Sequence, residues 1–378
     1  MVFSSSRNRV EIDLAALRDN YSLIRAFLGE STGILAVVKS DGYGHGMKAT
    51  AITLQEAGVD GFCVASVEEG LVLRETGIKG DIVVLLGFRP DECRAIAEFN
   101  LQPVVFDPGQ LKMLASSARE SQVNIGVHLK VDTGMGRSGI LPARVPEFIQ
   151  AISEADGIRL AGLAGHFPGA DDPDAQGSFE QNELFRTVFQ GIRDSILQGS
   201  AHIANSAAMV RFPETHWDKV RPGISLYGYL PDKSTCFLPG LKPVMSLKTE
   251  IFQVRQVPAG AGISYGHSFR TSRPSRLALI PLGYNEGYRR ILSDRAQALV
   301  RGVRVPQVGR ICMNVTVLDV TDLPGEVVPG DDVVLMGEQG EERIDADEIA
   351  GWMGTLNYEV LCLFGNLNYR CYLNEETG

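Results

Sequence analysis

Eight short apolar runs, each followed by a stretch of helical periodicity, fill the first two-thirds of this 378-residue chain. The runs are ILAVVK (34–39), GFCVAS (61–66), DIVVLLG (81–87), LQPVVF (101–106), VNIGVHLKVD (123–132), RLAGLAGHF (159–167), SAHIANS (200–206) and KVRPGISLYG (219–228). Between them, segments such as MKATAITLQEAG and PEFIQAISEADG space apolar residues three or four apart, and several end in glycine. Strands that alternate with helices pair in parallel, since each helix carries the chain back to the starting end of the sheet. Eight such units in about 220 residues predict a (β/α)8 TIM barrel. The competing doubly wound sheet would open its first helix on GxGxxG, and no such turn occurs.

From about residue 240 the rhythm changes. LKTEIFQVRQVPAGAGISYG, SRLALIPLGY, QALVRGVRVPQVGR and VTVLDV are short, β-branched and broken by Gly and Pro, which predicts a mainly β C-terminal domain. The expected division is a barrel over residues 1–236 and a β domain over 237–378, with PDKSTCFLPG (231–240) as the joint. A net charge of −10 argues against a nucleic-acid partner. No run approaches the ~20 apolar residues of a membrane span. MVFSSSRNRVEIDL carries charge where a signal peptide needs its apolar segment. Six cysteines without a CxxC pair fit reduced thiols in a cytoplasmic protein, and neither they nor the six histidines show metal-ligand spacing.

In barrels of this kind the chemistry lies at the C-terminal ends of the strands, and phosphate groups bind after strands seven and eight. Lys39 closes the first apolar run and meets the glycine-rich SDGYGHG. Glycine there lets the backbone approach a ligand closely. Asn205 and Ser206 close the seventh run, and Arg221, Gly223 and Ile224 belong to the eighth. An amine, a phosphate-type site and a guanidinium therefore converge on one face. On the fifth run, the alternation of Ile125, Val127, Leu129 and Val131 puts His128, Lys130 and Asp132 on the opposite side. If that side lines the barrel, Lys130 is buried near Arg137, two like charges in a poor dielectric.

AVVKSDGYGHG, KVDTGMGRSG, HIANSAA, RPGISLYG, VPAGAGISYG and VGRICMN occur in this order, and together they resemble the alanine racemases. The resemblance runs from RVEIDLAALRDN (9–20) to NYEVLC (357–362). It implies a pyridoxal 5'-phosphate enzyme that interconverts L-alanine and D-alanine and supplies D-alanine for peptidoglycan. Lys39 resembles the lysine that carries the cofactor. Tyr43, Asn205, Ser206, the N–H groups of Gly223 and Ile224, and Tyr358 resemble its phosphate-side contacts. Arg221 resembles the arginine facing the pyridine nitrogen, and His166 the histidine linking that arginine to a catalytic tyrosine. That tyrosine is implied to be Tyr265, one of two bases with Lys39 and supplied by the other subunit of a homodimer. A free phenol titrates near ~10, so such a base needs cationic neighbours, expected to be Arg221 and His166. By the same resemblance Met313 crosses over and binds substrate with Arg137, and Lys130 is carbamylated. An unmodified Lys130 paired with Asp132 or another carboxylate is the alternative.

Some positions depart from the family pattern. Asn314 stands where Asp is usual, GYNEG (283–287) where GYADG is usual, and SDG (40–42) where ADA is common. The C-terminal GNLNYRCYLN lacks the usual proline and arginines. These bear on access and substrate fit, which leaves a racemase of another small amino acid such as serine as the alternative. A decarboxylase of similar architecture would pair the pyridine nitrogen with a carboxylate rather than with Arg221. A non-catalytic cofactor carrier would lack the β domain that bears Tyr265.

Overall fold

The first strand, β1 (Arg9–Asp13), pairs with two strands from the far end of the chain. It runs antiparallel to Met245–Glu250, with Val10 opposite Leu247, and parallel to Tyr369–Leu373, with Val10 opposite Arg370. The computed structural model describes residues 7–193, 199–232 and 234–375; of the expected joint, Lys233 lies outside them. Two compact units result. One comprises Leu17–Gly42 and Met47–Lys242, the other Met1–Ala16, Tyr43–Gly46 and Pro243–Gly378. The division differs from the one read at residue 236. A change of rhythm locates the joint, but it cannot tell which sheet a strand upstream of the barrel will join.

The barrel unit holds β2 (Gly33–Val37), β3 (Gly61–Val64), β4 (Asp81–Val84), β5 (Gln102–Val105), β6 (Ile125–Lys130), β7 (Ile158–Ala164), β8 (Ser200–His202) and β9 (Lys219–Val220). All seven pairings are parallel, in the order β8-β7-β6-β5-β4-β3-β2-β9. The remaining seam, between β8 and β9, is bridged just beyond the strands by Arg221 N–H donating to Ala204 O at 2.9 Å. The result is a nearly closed eight-stranded barrel. β3, β5 and β6 are buried at every position, because helices cover one face of a parallel sheet and barrel-filling side chains the other.

Each strand is shorter than the apolar run that announced it. Lys39, His166, Asn205, Ser206, Arg221, Gly223 and Ile224 all lie past the last ladder residue of their strands, and Ile224 opens a 3₁₀ turn, Ile224–Tyr227. The barrel needs only a few paired residues per strand. The rest of each run leaves the ladder, and it is there that Lys39, His166, Asn205, Ser206 and Arg221 lie.

The other unit carries a sheet ordered Val303–Pro306, Gln297–Val300, Asp332–Gln339, Met245–Glu250, β1, Tyr369–Leu373. A second sheet joins Gln253–Val257, Ser275–Ile280 and Thr316–Asp319. Met245–Glu250 alternates buried and half-buried residues, as an antiparallel strand with one covered face does. Val257, Ile263, Leu277 and Val308 form a core cluster with Ala261, Phe269 and Val317 packed on it. Among the described residues no helix is long and apolar enough to cross a membrane.

Candidate active site

Lys39 leaves the barrel mouth on a left-handed turn. Ser40, Asp41 and Gly42 have φ of 55°, 53° and 64°, a conformation that costs a non-glycine residue roughly 1–2 kcal/mol. Hydrogen bonds hold it. Gly42 N–H donates to Val38 O at 2.8 Å. Ser40 N–H and Ala65 N–H each donate to a Glu69 carboxylate oxygen at 2.7 Å, and Met47 N–H donates to Asp41 Oδ1 at 2.7 Å. Glu69 thus ties the turn to the end of β3. Half-buried Lys39 sits at its base. Burial first, and then the guanidinium of Arg137, hold its ammonium below the usual lysine range, with Cys63 and Glu69 opposing and Arg221 adding the smallest contribution to the depression. Such a lysine is more readily an amine than a free one.

Arg221 is buried, and both of its terminal nitrogens are engaged. One terminal nitrogen donates to His202 Nδ1 at 2.5 Å and His202 O at 2.8 Å. The other donates to Gly165 O at 2.8 Å, to Ile203 O at 3.1 Å, and lies 3.3 Å from His166 Nδ1. A guanidinium has donors only, so the direction of everything behind it follows. His202 accepts at Nδ1 and donates from Nε2 to His128 Nδ1 at 2.8 Å. His128 donates from Nε2 to Gln102 Oε1 at 2.9 Å, and Gln102 Nε2 donates to Asp81 Oδ1 at 2.7 Å. Asp81 is also 3.4 Å from Lys219 Nζ. The chain crosses the barrel interior, and Gly162 makes room for it: a Cβ there would lie 2.4 Å from His128 Nδ1.

Both interior histidines are therefore neutral. Burial pushes His128 down to about 3 and His202 well below the usual range. His166 is likewise pushed well down, by burial first and then by Arg221, Lys130, Arg137 and Lys39. That direction runs against the expectation of a cationic His166 and leaves Arg221 as the cation beside it. We expect 15N-resolved NMR to show His128 and His202 as Nε2–H tautomers that do not titrate between about pH 5 and about pH 8. A protonation step of either ring in that window would contradict the assigned direction.

Ser206 opens the short helix Ser206–Arg211, capped by Asn205 Oδ1, which accepts from Ala208 N–H at 3.0 Å. The buried Ser206 Oγ accepts from Gly223 N–H at 2.9 Å and Ser225 N–H at 3.4 Å, and lies 3.1 Å from Ser225 Oγ. Two hydroxyls and a cluster of backbone N–H groups thus gather between the ends of β8 and β9, with no lysine among them. Asn205 serves this cluster by fixing the helix start.

Lys130 is buried, and no hydrogen bond reaches its Nζ among the described residues. Burial, followed by Arg221, lowers it to about 7, with Asp132 opposing and Arg137 adding to the depression. Asp132 Oδ1 accepts instead from Gly134 N–H at 3.0 Å and Gly136 N–H at 3.1 Å. Arg137 itself is exposed on the loop beyond.

In the β unit, Tyr43 and Tyr358 lie with ring centroids 5.9 Å apart. The helix Asn357–Leu367 comes so close to the 43–46 segment that a Cβ on Gly365 would sit 1.9 Å from Gly44 O. Tyr265 and Met313 are 67% and 55% exposed on two loops that touch one another. Sequence reasoning did not single out Glu69, Gln102, His128, His202 or Ser225. The alternation of β6 placed His128 beside Lys130, and HIANSAA contains His202; their pairing across 74 residues is tertiary.

A half-buried, destabilised ammonium, a donor-only guanidinium and a lysine-free cluster of hydroxyl and N–H donors match the aldehyde, ring nitrogen and phosphate of pyridoxal 5'-phosphate. Comparisons with known proteins agree. Residues 12–231 match the family described as alanine racemase, N-terminal domain, and residues 244–372 match alanine racemase, C-terminal domain. An alanine racemase of Syntrophobacter fumaroxidans is 41% identical over 365 residues, 97% of this chain and 97% of that protein. The alanine racemase structure from Bacillus anthracis with bound L-Ala-P has a TM-score of 0.90 and 33% identity, covering 98% of this chain and 96% of that one. The one from Bartonella henselae with covalently bound pyridoxal phosphate has a TM-score of 0.87 and 27% identity, covering 98% and 100%. With both domains matched, in order and over almost the full length, this chain belongs to the alanine racemase family.

Proposed function

We infer that this chain racemises alanine with pyridoxal 5'-phosphate as cofactor, supplying D-alanine for peptidoglycan from the cytoplasm. The observation that carries the reading is Lys39: an amine half-buried at the barrel mouth, its charged form disfavoured, beside an arginine that can only donate. When bound, the cofactor acidifies the substrate's Cα–H by withdrawing electrons into its ring. Lys39 would hold it covalently, Ser206, Gly223 and Ile224 would receive its phosphate, and Arg221 would face its ring nitrogen. Arg221 offers donors only, so it would accept no hydrogen bond from a proton-bearing nitrogen there and would keep the electron withdrawal modest, favouring prompt return of the proton to Cα. Arg221 is held in place, since His202, Gly165 and Ile203 bind both of its terminal nitrogens.

Racemisation requires a proton to leave one face of Cα and arrive on the other, and one base on each face does this with least motion. Lys39 serves D-alanine, and Tyr265 of the partner subunit serves L-alanine. The exposure of Tyr265 and Met313 on their own unit supports a homodimer in which each subunit lends them to the other's site. Arg137 and Met313 of the partner subunit then hold the substrate. The test is a panel of L-amino acids given to the purified protein, with enantiomers resolved by chiral chromatography. Alanine should turn over fastest; faster turnover of serine, or no racemisation, would overturn the reading.

Lys130 is the reading's carbamate. Its free amine attacks CO2, forming an N–C bond and releasing a proton, and the product is an anion in the field of Arg221 and, more weakly, Arg137. The reaction needs the unprotonated amine, and an amine titrating at about 7 gains it within the neutral range. Between about pH 6 and about pH 8 the unprotonated fraction of such an amine rises about tenfold. At fixed dissolved 13CO2, the rate of carbamate appearance followed by 13C NMR should rise accordingly and vanish in Lys130→Met. Labelling that persists in that variant would reassign the site.

A further inference from the structure

The peptide before Tyr265 is strained. Ser264 has φ 59° and ψ −167°, at the edge of a region populated almost entirely by glycine, where other residues cost on the order of 1–3 kcal/mol. Its hydroxyl donates to Arg310 O at 2.5 Å and lies 3.4 Å from Cys312 Sγ. Both partners belong to the loop that carries Met313. Around this bond the two loops are fitted closely. A Cβ on Gly309 would lie 2.8 Å from Ile263 O and 3.1 Å from Ser264 Cβ, and one on Gly266 would lie 3.0 Å from an Arg310 guanidinium nitrogen. Asp294 adds a second strut, its carboxylate accepting from Gly309 N–H at 2.5 Å and from Ser268 Oγ at 2.9 Å. On the far side, Asn285 N–H donates to Met313 O at 3.0 Å, and Asn314 Nδ2 donates to Glu286 Oε1 at 2.8 Å.

We propose that Ser264 is a positioning residue for the racemisation: its hydroxyl holds the peptide before Tyr265 in a glycine-only conformation and fastens it to the Arg310–Met313 loop, so that Tyr265 and Met313 are presented as one rigid unit. A serine kept where glycine would fit without strain has a use for its side chain, and the bond to Arg310 O is that use. The proposal rests on the roles given above to Tyr265 and Met313.

Two full-length variants separate strain from tether. Ser264→Gly removes both; Ser264→Ala keeps the strained Cβ and removes only the tether. The alanine variant should therefore melt below both wild type and the glycine variant. In both variants, hydrogen–deuterium exchange should speed up together over 264–267 and 310–314, about fivefold or more for a lost hydrogen bond, while Met245–Glu250 is unchanged. In the holoenzyme of Ser264→Gly, exchange of the Cα hydrogen in deuterated water should fall further for L-alanine than for D-alanine, which a general loss of folding would not produce. Faster exchange in one loop only, or an alanine variant as stable as wild type, overturns the proposal. Equal loss with both enantiomers overturns it too, provided Tyr265→Phe itself shows the asymmetry. Equal loss in Tyr265→Phe would instead overturn the catalytic reading of Tyr265 and leave the amide-exchange result to stand as structural.

Discussion

Tyr265→Phe is expected to lower racemisation by about 10²- to 10⁴-fold, the usual consequence of removing a general base. The change deletes one oxygen from a side chain that is 67% exposed on its own unit, so stability should stay within about 0.5 kcal/mol of wild type. Cofactor content should also be unchanged, because Lys39, Ser206 and Arg221 are untouched. The diagnostic is asymmetry. In deuterated water the variant should still exchange the Cα hydrogen of D-alanine, assigned to Lys39 in the proposed mechanism, while exchange of L-alanine falls with the overall rate. Equal exchange of both enantiomers would contradict a base on each face.

Lys39→Ala should cost more, on the order of 10⁴-fold or greater, since in the proposed mechanism one amine is both attachment point and base. In wild type, borohydride should bleach the visible band of the bound cofactor and leave a reduced adduct on Lys39 in peptide mapping. In the variant neither band nor adduct should form, even though Lys130 is also a depressed lysine. An adduct on Lys130 or elsewhere in wild type would break the assignment. The two lysines are distinguished by access: Lys39 is half-buried at the mouth, and Lys130 is buried with its Nζ unreached by any hydrogen bond among the described residues.

The barrel was legible in the sequence because helix and strand periods alternate eight times, and the order of the strands around it followed. Strand ends were not, because each run continues past its last ladder bond into the following turn. β1 gave no sign of its partners, which lie more than 230 residues downstream. Lys39 was readable as the end of an apolar run before glycines. The left-handed Ser40 and Asp41 were not, since neither is glycine and their conformation is held in part by Glu69, 29 residues beyond Ser40. The neutrality of His166, His202 and His128 was equally hidden: it depends on burial beside Arg221, and burial of a histidine is a tertiary fact. Asn314 and Glu286 looked like two separate departures from the family pattern, and the structure joins them in one hydrogen bond.

The central claim is that each catalytic site takes Lys39 from one subunit and Tyr265 from the other. Mixing the two inactive variants, Lys39→Ala and Tyr265→Phe, tests it directly. In a two-fold dimer, half of the randomly exchanged pairs are mixed, and each mixed pair has one site with both native residues, so an equimolar mixture should recover about a quarter of wild-type activity. Subunit exchange is verified independently by native mass spectrometry of a mass-tagged variant. Recovery near that level is the predicted result; verified exchange with no recovered activity would contradict the shared site.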